Sequence, residues 1–140
     1  IVDAVRETSE RGLQKTVARI KSKYGNPNHS FETISSFNLL MEEVKDIVET
    51  LGIHLVVTGT KGASGVDEVF MGSNTVRIIK STKKCPILAI PYNFEFVTTS
   101  DIAFAQDFNL FYTTSDLSPL LDLVIISLAS IRIILDDHAL

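Results

Sequence analysis

A single cysteine and three scattered histidines among 140 residues exclude an intrachain disulfide and leave no set of ligands with zinc spacing. The compartment this implies is a reducing one, read as cytoplasmic. Cys85 itself, just ahead of an apolar stretch, reads as a small packed side chain rather than a nucleophile. An excess of positive charge is also missing. Thirteen Lys and Arg face 17 Asp and Glu, for a formal net charge of −4, which offers no electrostatic footprint for nucleic acid or an anionic membrane. The one basic cluster, Lys80, Lys83 and Lys84, reads as favourable charge at a helix C-terminus. No apolar run reaches the ~20 residues of a membrane span; the longest candidate, residues 120–135, is interrupted by Asp122 and Arg132. Neither membrane nor nucleic acid is therefore an expected partner. Low hydrophobicity is absent as well: 45% hydrophobic and 21% charged residues describe a globular chain long enough for one domain with a sizeable core.

What is present is concentrated in residues 59–74, GTKGASGVDEVFMGSN. The preceding run, residues 53–58 (IHLVVT), is apolar and β-branched, and reads as a buried parallel strand covered on both faces. Glycines at 59, 62, 65 and 72 let the backbone turn and approach a ligand closely. Ser73 then opens a helical pattern, and is expected to cap that helix and to offer its hydroxyl to a phosphate oxygen. Free N–H groups at a helix start, with the helix dipole behind them, attract an anion. The spacing is neither that of a P-loop nor that of the dinucleotide fingerprint G-x-G-x-x-G.

Taken in order, residues 1–24 place Val2, Val5, Leu13, Val17, Ile20 and Tyr24 on a helical stripe. Residues 29–35 (HSFETIS) alternate weakly as an edge strand. Asn38 is expected to cap a helix running to Thr50, ended by Gly52. A helix from Ser73 to Thr82 is expected to bury Val76 and Ile79, and residues 87–90 (ILAI) form a strand before Pro91. Beyond a linker at 92–100, residues 102–106 (IAFAQ) and 131–135 (IRIIL) read as strands flanking a helix over 117–129, with Asp116 as its cap and Pro119 in its first turn. That helix has almost no polar face, so it is expected to be buried on more than one side, and association into a homo-oligomer follows. His54 is read as a structural histidine within a strand, and Asp67 and Glu68 as solvated loop charges. No catalytic constellation emerges.

Gly59, Gly62, Gly72 and Ser73 reproduce G-x2-G-x9-G-[ST], which resembles the phosphate-binding signature of the universal stress protein family; the flanks LVVTGTKGASG and GSNTVRIIKSTKKCPILAIP are similar to that family too. Residues 1–91 look like the end of one repeat, and residues 101–136 like the start of a second, as in a tandem stress protein. The resemblance implies an α/β fold: an open, mostly parallel five-strand sheet with helices on both faces, a flavodoxin-like three-layer sandwich of the adenine nucleotide alpha hydrolase-like kind. Residues 101–140 supply the first strand, helix and second strand that residues 1–91 lack. The two parts are expected to complete one sheet, either as a circular permutation within a chain or as a domain swap between chains. It further implies ATP or AMP as ligand, with Mg2+ an optional companion of the phosphates. Gly59, Gly62, Gly72, Ser73 and Asn74 would hold the phosphates, and Asp107 would meet the nucleoside end. Asn74 and Asp136 stand where the family commonly has valine. Slow ATP hydrolysis is the most catalysis the resemblance implies.

Overall fold

The computed structural model describes residues 2–60, 72–95, 97–106 and 110–135. Along them run α1 (Val2–Tyr24), α2 (Leu40–Leu51), β1 (Val56–Gly59), α3 (Ser73–Ser81), β2 (Ile87–Ile90), β3 (Asp101–Gln106), α4 (Thr114–Ser127) and β4 (Ser130–Leu135). The α/β alternation is the expected one, and both strand pairings are parallel, β1 with β2 and β3 with β4. Among the described residues these pairs stand as two separate two-stranded sheets rather than as one sheet of five.

A proline sets where the first ladder starts. Val56 lies opposite Ile87 and Gly59 opposite Ile90. The Val56 N–H donates to the Pro86 carbonyl at 3.0 Å, and the Thr60 N–H to the Ile90 carbonyl at 2.9 Å. Pro86 has no N–H to return, so the pairing stops there; at the other end the Thr60 carbonyl accepts from the Gly72 N–H instead of from β2. The strand expected over 53–58 accordingly starts three residues later, and His54, expected inside it, is exposed and outside it.

The edge strand expected over 29–35 does not form a ladder, because no strand among the described residues pairs with it. The segment instead runs back along α1. The Ser35 hydroxyl donates to Ser9 Oγ at 2.9 Å, Lys21 Nζ sits 5.5 Å from the Phe31 ring centre, and the Arg6 guanidinium lies 5.7 Å from that of Phe37. Cation–π contacts at exposed sites are worth ~0.5–1 kcal/mol. Leu13, Val17 and Ile20 are half-covered as the stripe predicts, while Val2, Val5 and Tyr24 remain exposed.

In α2 the cap is Leu39, not Asn38. Asn38 is drawn instead toward Glu43: its Nδ2 donates to Glu43 Oε2 at 3.0 Å, and the Ser36 hydroxyl donates to the same oxygen at 2.6 Å. These bonds, Ser36 first and Asn38 second, hold the Glu43 carboxyl below its ordinary range. Gly52 ends the helix in the left-handed region, φ 63°, a conformation that costs glycine nothing. The core lies where α2 and α3 meet: Val48, Ile78, Cys85, Thr75 and Thr82 are its buried residues. Cys85 is packed, as expected. The inward face of α3 is Thr75 and Ile78 rather than Val76 and Ile79. Val76 is half-buried and Ile79 exposed.

In the second sheet Asp101 lies opposite Ser130 and Gln106 opposite Leu135. Arg132 Nε donates to Asp101 Oδ1 at 2.8 Å across the exposed face. Phe104 meets Tyr112 edge-on, with ring centres 5.5 Å apart. The cap of α4 is Thr113, with Asp116 as its reciprocal partner: Asp116 N–H donates to Thr113 Oγ1 at 3.3 Å and Thr113 N–H to Asp116 Oδ2 at 2.8 Å. This is a capping box in which Asp fills the third helical position usually held by Glu or Gln. At the other end Leu128 takes φ 53°, a left-handed conformation rare outside glycine and asparagine.

Candidate functional site

The candidate site is the turn from the end of β1 to the start of α3. At the strand end the Thr60 N–H is tied to β2, while the Thr60 carbonyl accepts from the Gly72 N–H at 2.8 Å. This short bond brings the first residue before α3 directly onto the strand end. One turn into the helix, Thr75 is 2% exposed and its hydroxyl donates to the Gly59 carbonyl at 2.8 Å. Strand and helix are thus stitched together at two points.

Of the residues expected to hold phosphate, Gly59, Gly72, Ser73 and Asn74 are brought together here. Gly62 and Asp107 lie outside the described residues, as do Asp67, Glu68 and Asp136. The assigned cap moves by one residue: Gly72 is the N-cap, because its carbonyl accepts the first helical bond, from the Val76 N–H at 3.1 Å. A glycine cap brings no side chain, so among the described residues the turn of α3 holding Ser73 and Asn74 has no side-chain acceptor on its N–H groups. Both residues are exposed. The Ser73 hydroxyl does not cap the helix and has no hydrogen-bond partner among the described residues. Together these groups form a donor-rich, positively polarised helix end.

The glycines act differently from the expectation. Neither Gly59 nor Gly72 has a positive φ; Gly72 sits at φ −51° and ψ 145°. A Cβ placed on Gly59 would meet no heavy atom within 4 Å, so the lack of a side chain there keeps space open in front of the strand end and relieves no strain. The residue that sequence reasoning missed is Thr75. Its signal was present as the stripe Thr75, Ile78 and Thr82, spaced i, i+3 and i+7, which a search for apolar residues alone passes over. Among the described residues, no group of three or more His, Cys, Asp and Glu side chains is placed to hold a metal ion.

No curated protein and no solved structure matches the chain significantly. A family model described as the universal stress protein family matches residues 6–91.

Proposed function

Taking as premise that the chain belongs to the universal stress protein family, we propose that it binds an adenine nucleotide, ATP or AMP, and serves as a nucleotide-responsive regulator. Family membership supports the role in stress response. The observation that carries nucleotide binding is the uncapped, exposed start of α3 held against the end of β1. In this reading the N–H groups of Ser73 and Asn74 and the Ser73 hydroxyl donate to phosphate oxygens, with the helix dipole adding to the attraction. The Gly72 N–H is already engaged by Thr60. Its part is to fix where the donors stand. Gly59 keeps the approach clear, and Gly62 contributes by its place in the signature. Mg2+ accompanies the phosphates when present.

Asp107 takes the nucleoside end in this proposal, which requires β3 to stand beside β1 in one parallel sheet that joins the two pairs. Both arrangements remain in the proposal: closure within one chain across the 92–100 linker, or exchange between two chains. What supports joining is that each sheet exposes apolar side chains, Val57 and Leu88 on one, Ile133 and Ile134 on the other. Exposed apolar surface of this kind marks association.

The test is calorimetric titration with ATP, with and without Mg2+, on protein whose mass in solution has been measured. Saturable binding that disappears in Gly72→Val supports the proposal. A second reading draws on the end of α4, where Ile125, Ile126 and the following Leu128 are 70%, 81% and 92% exposed: a dimerisation module of the same fold with an empty cleft. Absence of binding by a well-folded oligomer selects that reading.

A further inference from the structure

Just ahead of α4 stand three consecutive large apolar side chains, Leu110, Phe111 and Tyr112, all exposed, with Phe111 at 99%. A run of this kind on a protein surface is a fault unless it serves a function. The run is anchored on one side. Tyr112 meets the Phe104 ring of β3 edge-on, with ring centres 5.5 Å apart, and Thr113 beside it is fixed as the cap of α4 by its reciprocal bonds with Asp116. Phe111 is thus held out by neighbours that are themselves tied to the strand and the helix.

What Phe111 meets follows from its place in the joined sheet, and rests on the nucleotide reading above. With β1 already paired to β2 and β3 to β4, setting β3 beside β1 gives the strand order β4-β3-β1-β2. The crossovers through α3 and α4 then step outward in opposite directions, and because parallel crossovers are right-handed the two helices cover opposite faces. Both helices start beyond the carboxyl ends of their strands, on either side of the crevice between β1 and β3, which is where such sheets take ligands. The two starts differ in charge. That of α3 has a glycine cap and exposed Ser73 and Asn74, whereas that of α4 carries the Asp116 carboxylate in its first turn. A carboxylate there offsets the dipole and opposes a second anion. Phosphates therefore lie at α3, and the uncharged end of the ligand lies toward α4, where Phe111 stands. We propose that Phe111 stacks on the adenine base of the bound nucleotide. Phenylalanine suits the task because every base offers a π-face to an aromatic ring, and its own ring brings no polar group that needs a partner.

The experiment compares ATP, AMP and inorganic tripolyphosphate by calorimetry on the full chain and on variants at position 111. Phe111→Ala should weaken ATP and AMP about tenfold, the size of one lost stacking contact, while leaving tripolyphosphate affinity and melting temperature unchanged. Phe111→Tyr should retain ATP. Phe111→Trp places a single tryptophan in a chain that has none, and its emission should be quenched by ATP and unaffected by tripolyphosphate. Unchanged ATP affinity in Phe111→Ala, while Gly72→Val abolishes binding, would overturn the stacking and leave the nucleotide reading standing. Equal weakening of tripolyphosphate would also overturn it, making Phe111 a support of the fold. A fall in oligomer mass with ATP affinity unchanged would overturn it in favour of a contact between copies. No ATP binding by the unmodified chain would overturn both readings together.

Discussion

Residues 40–90 and residues 101–135 each contain a parallel two-stranded ladder, yet they differ in what stands behind it. The first pairs its strands with two helices in mutual contact, and among the described residues all the buried ones belong to it: Val48, Thr75, Ile78, Thr82 and Cys85. The second has the longer ladder and the better-capped helix, but among its described residues none is buried. Hydrogen bonding and local propensity can therefore be satisfied in full while the apolar surface remains uncovered. Hydrogen bonds contribute modestly because water competes for them, whereas burial supplies the main driving force. Among its described residues the second unit leaves its apolar side chains exposed.

The sharpest way to break this contrast is to empty the core of the first unit. Ile78 is 2% exposed, and Ile78→Ala should lower stability by about 2–5 kcal/mol, measured by urea unfolding. An equal loss from a single truncation in residues 101–135 of a monomer would contradict the comparison. Next in size is Ile125→Glu with Ile126→Glu on α4. These changes should lower the molar mass found by analytical ultracentrifugation, since charge on a shared apolar face opposes association. A mass unchanged from that of the unmodified oligomer would remove α4 from the interface. Leu128→Gly should stabilise the chain by about 1 kcal/mol by relieving a left-handed leucine, read as an upward shift in melting temperature. Thr113→Ala should cost about 1 kcal/mol through loss of the α4 cap.

The smallest effect expected is on acid stability. Asp116 is held below its ordinary range by the Thr113 hydroxyl first and the Thr113 backbone N–H second, and Glu43 is lowered by Ser36 and Asn38. A carboxyl whose folded value is depressed contributes its stabilisation in full above the unfolded value, and loses it as pH falls through the folded one. Both contributions therefore vanish at the acid end, below the ordinary carboxyl range, and both are small because the groups are exposed. NMR titration of Asp116 in Thr113→Ala should show its value returning upward. No upward change would detach the shift from the cap.

Much of this organisation was legible from periodicity. The helices, the parallel α/β order and the strands of residues 101–135 follow from apolar spacing, with boundaries displaced by one to three residues. The misses have specific causes. The first strand was placed too early because the missing N–H of Pro86 lies on the partner strand, thirty residues away in sequence. The segment 29–35 carries strand alternation but finds no partner among the described residues, and alternation alone supplies no ladder. Ser73 was preferred over Gly72 as cap because a hydroxyl is the stronger signal, whereas the hydrogen bond to Thr60 pins glycine at that place. Thr75 was overlooked because its value lies in one bond to a strand carbonyl, which no hydropathy pattern records.

The two prolines that bound β2 also govern error. Sliding β1 two residues toward the start of β2 would require an N–H from Pro86, and sliding it one residue the other way would require one from Pro91. Ladders this short usually have little to fix their alignment beyond side-chain pattern. Each proline therefore disfavours one such slip by the absence of a hydrogen, which adds to side-chain pattern in setting the alignment at the end of β1.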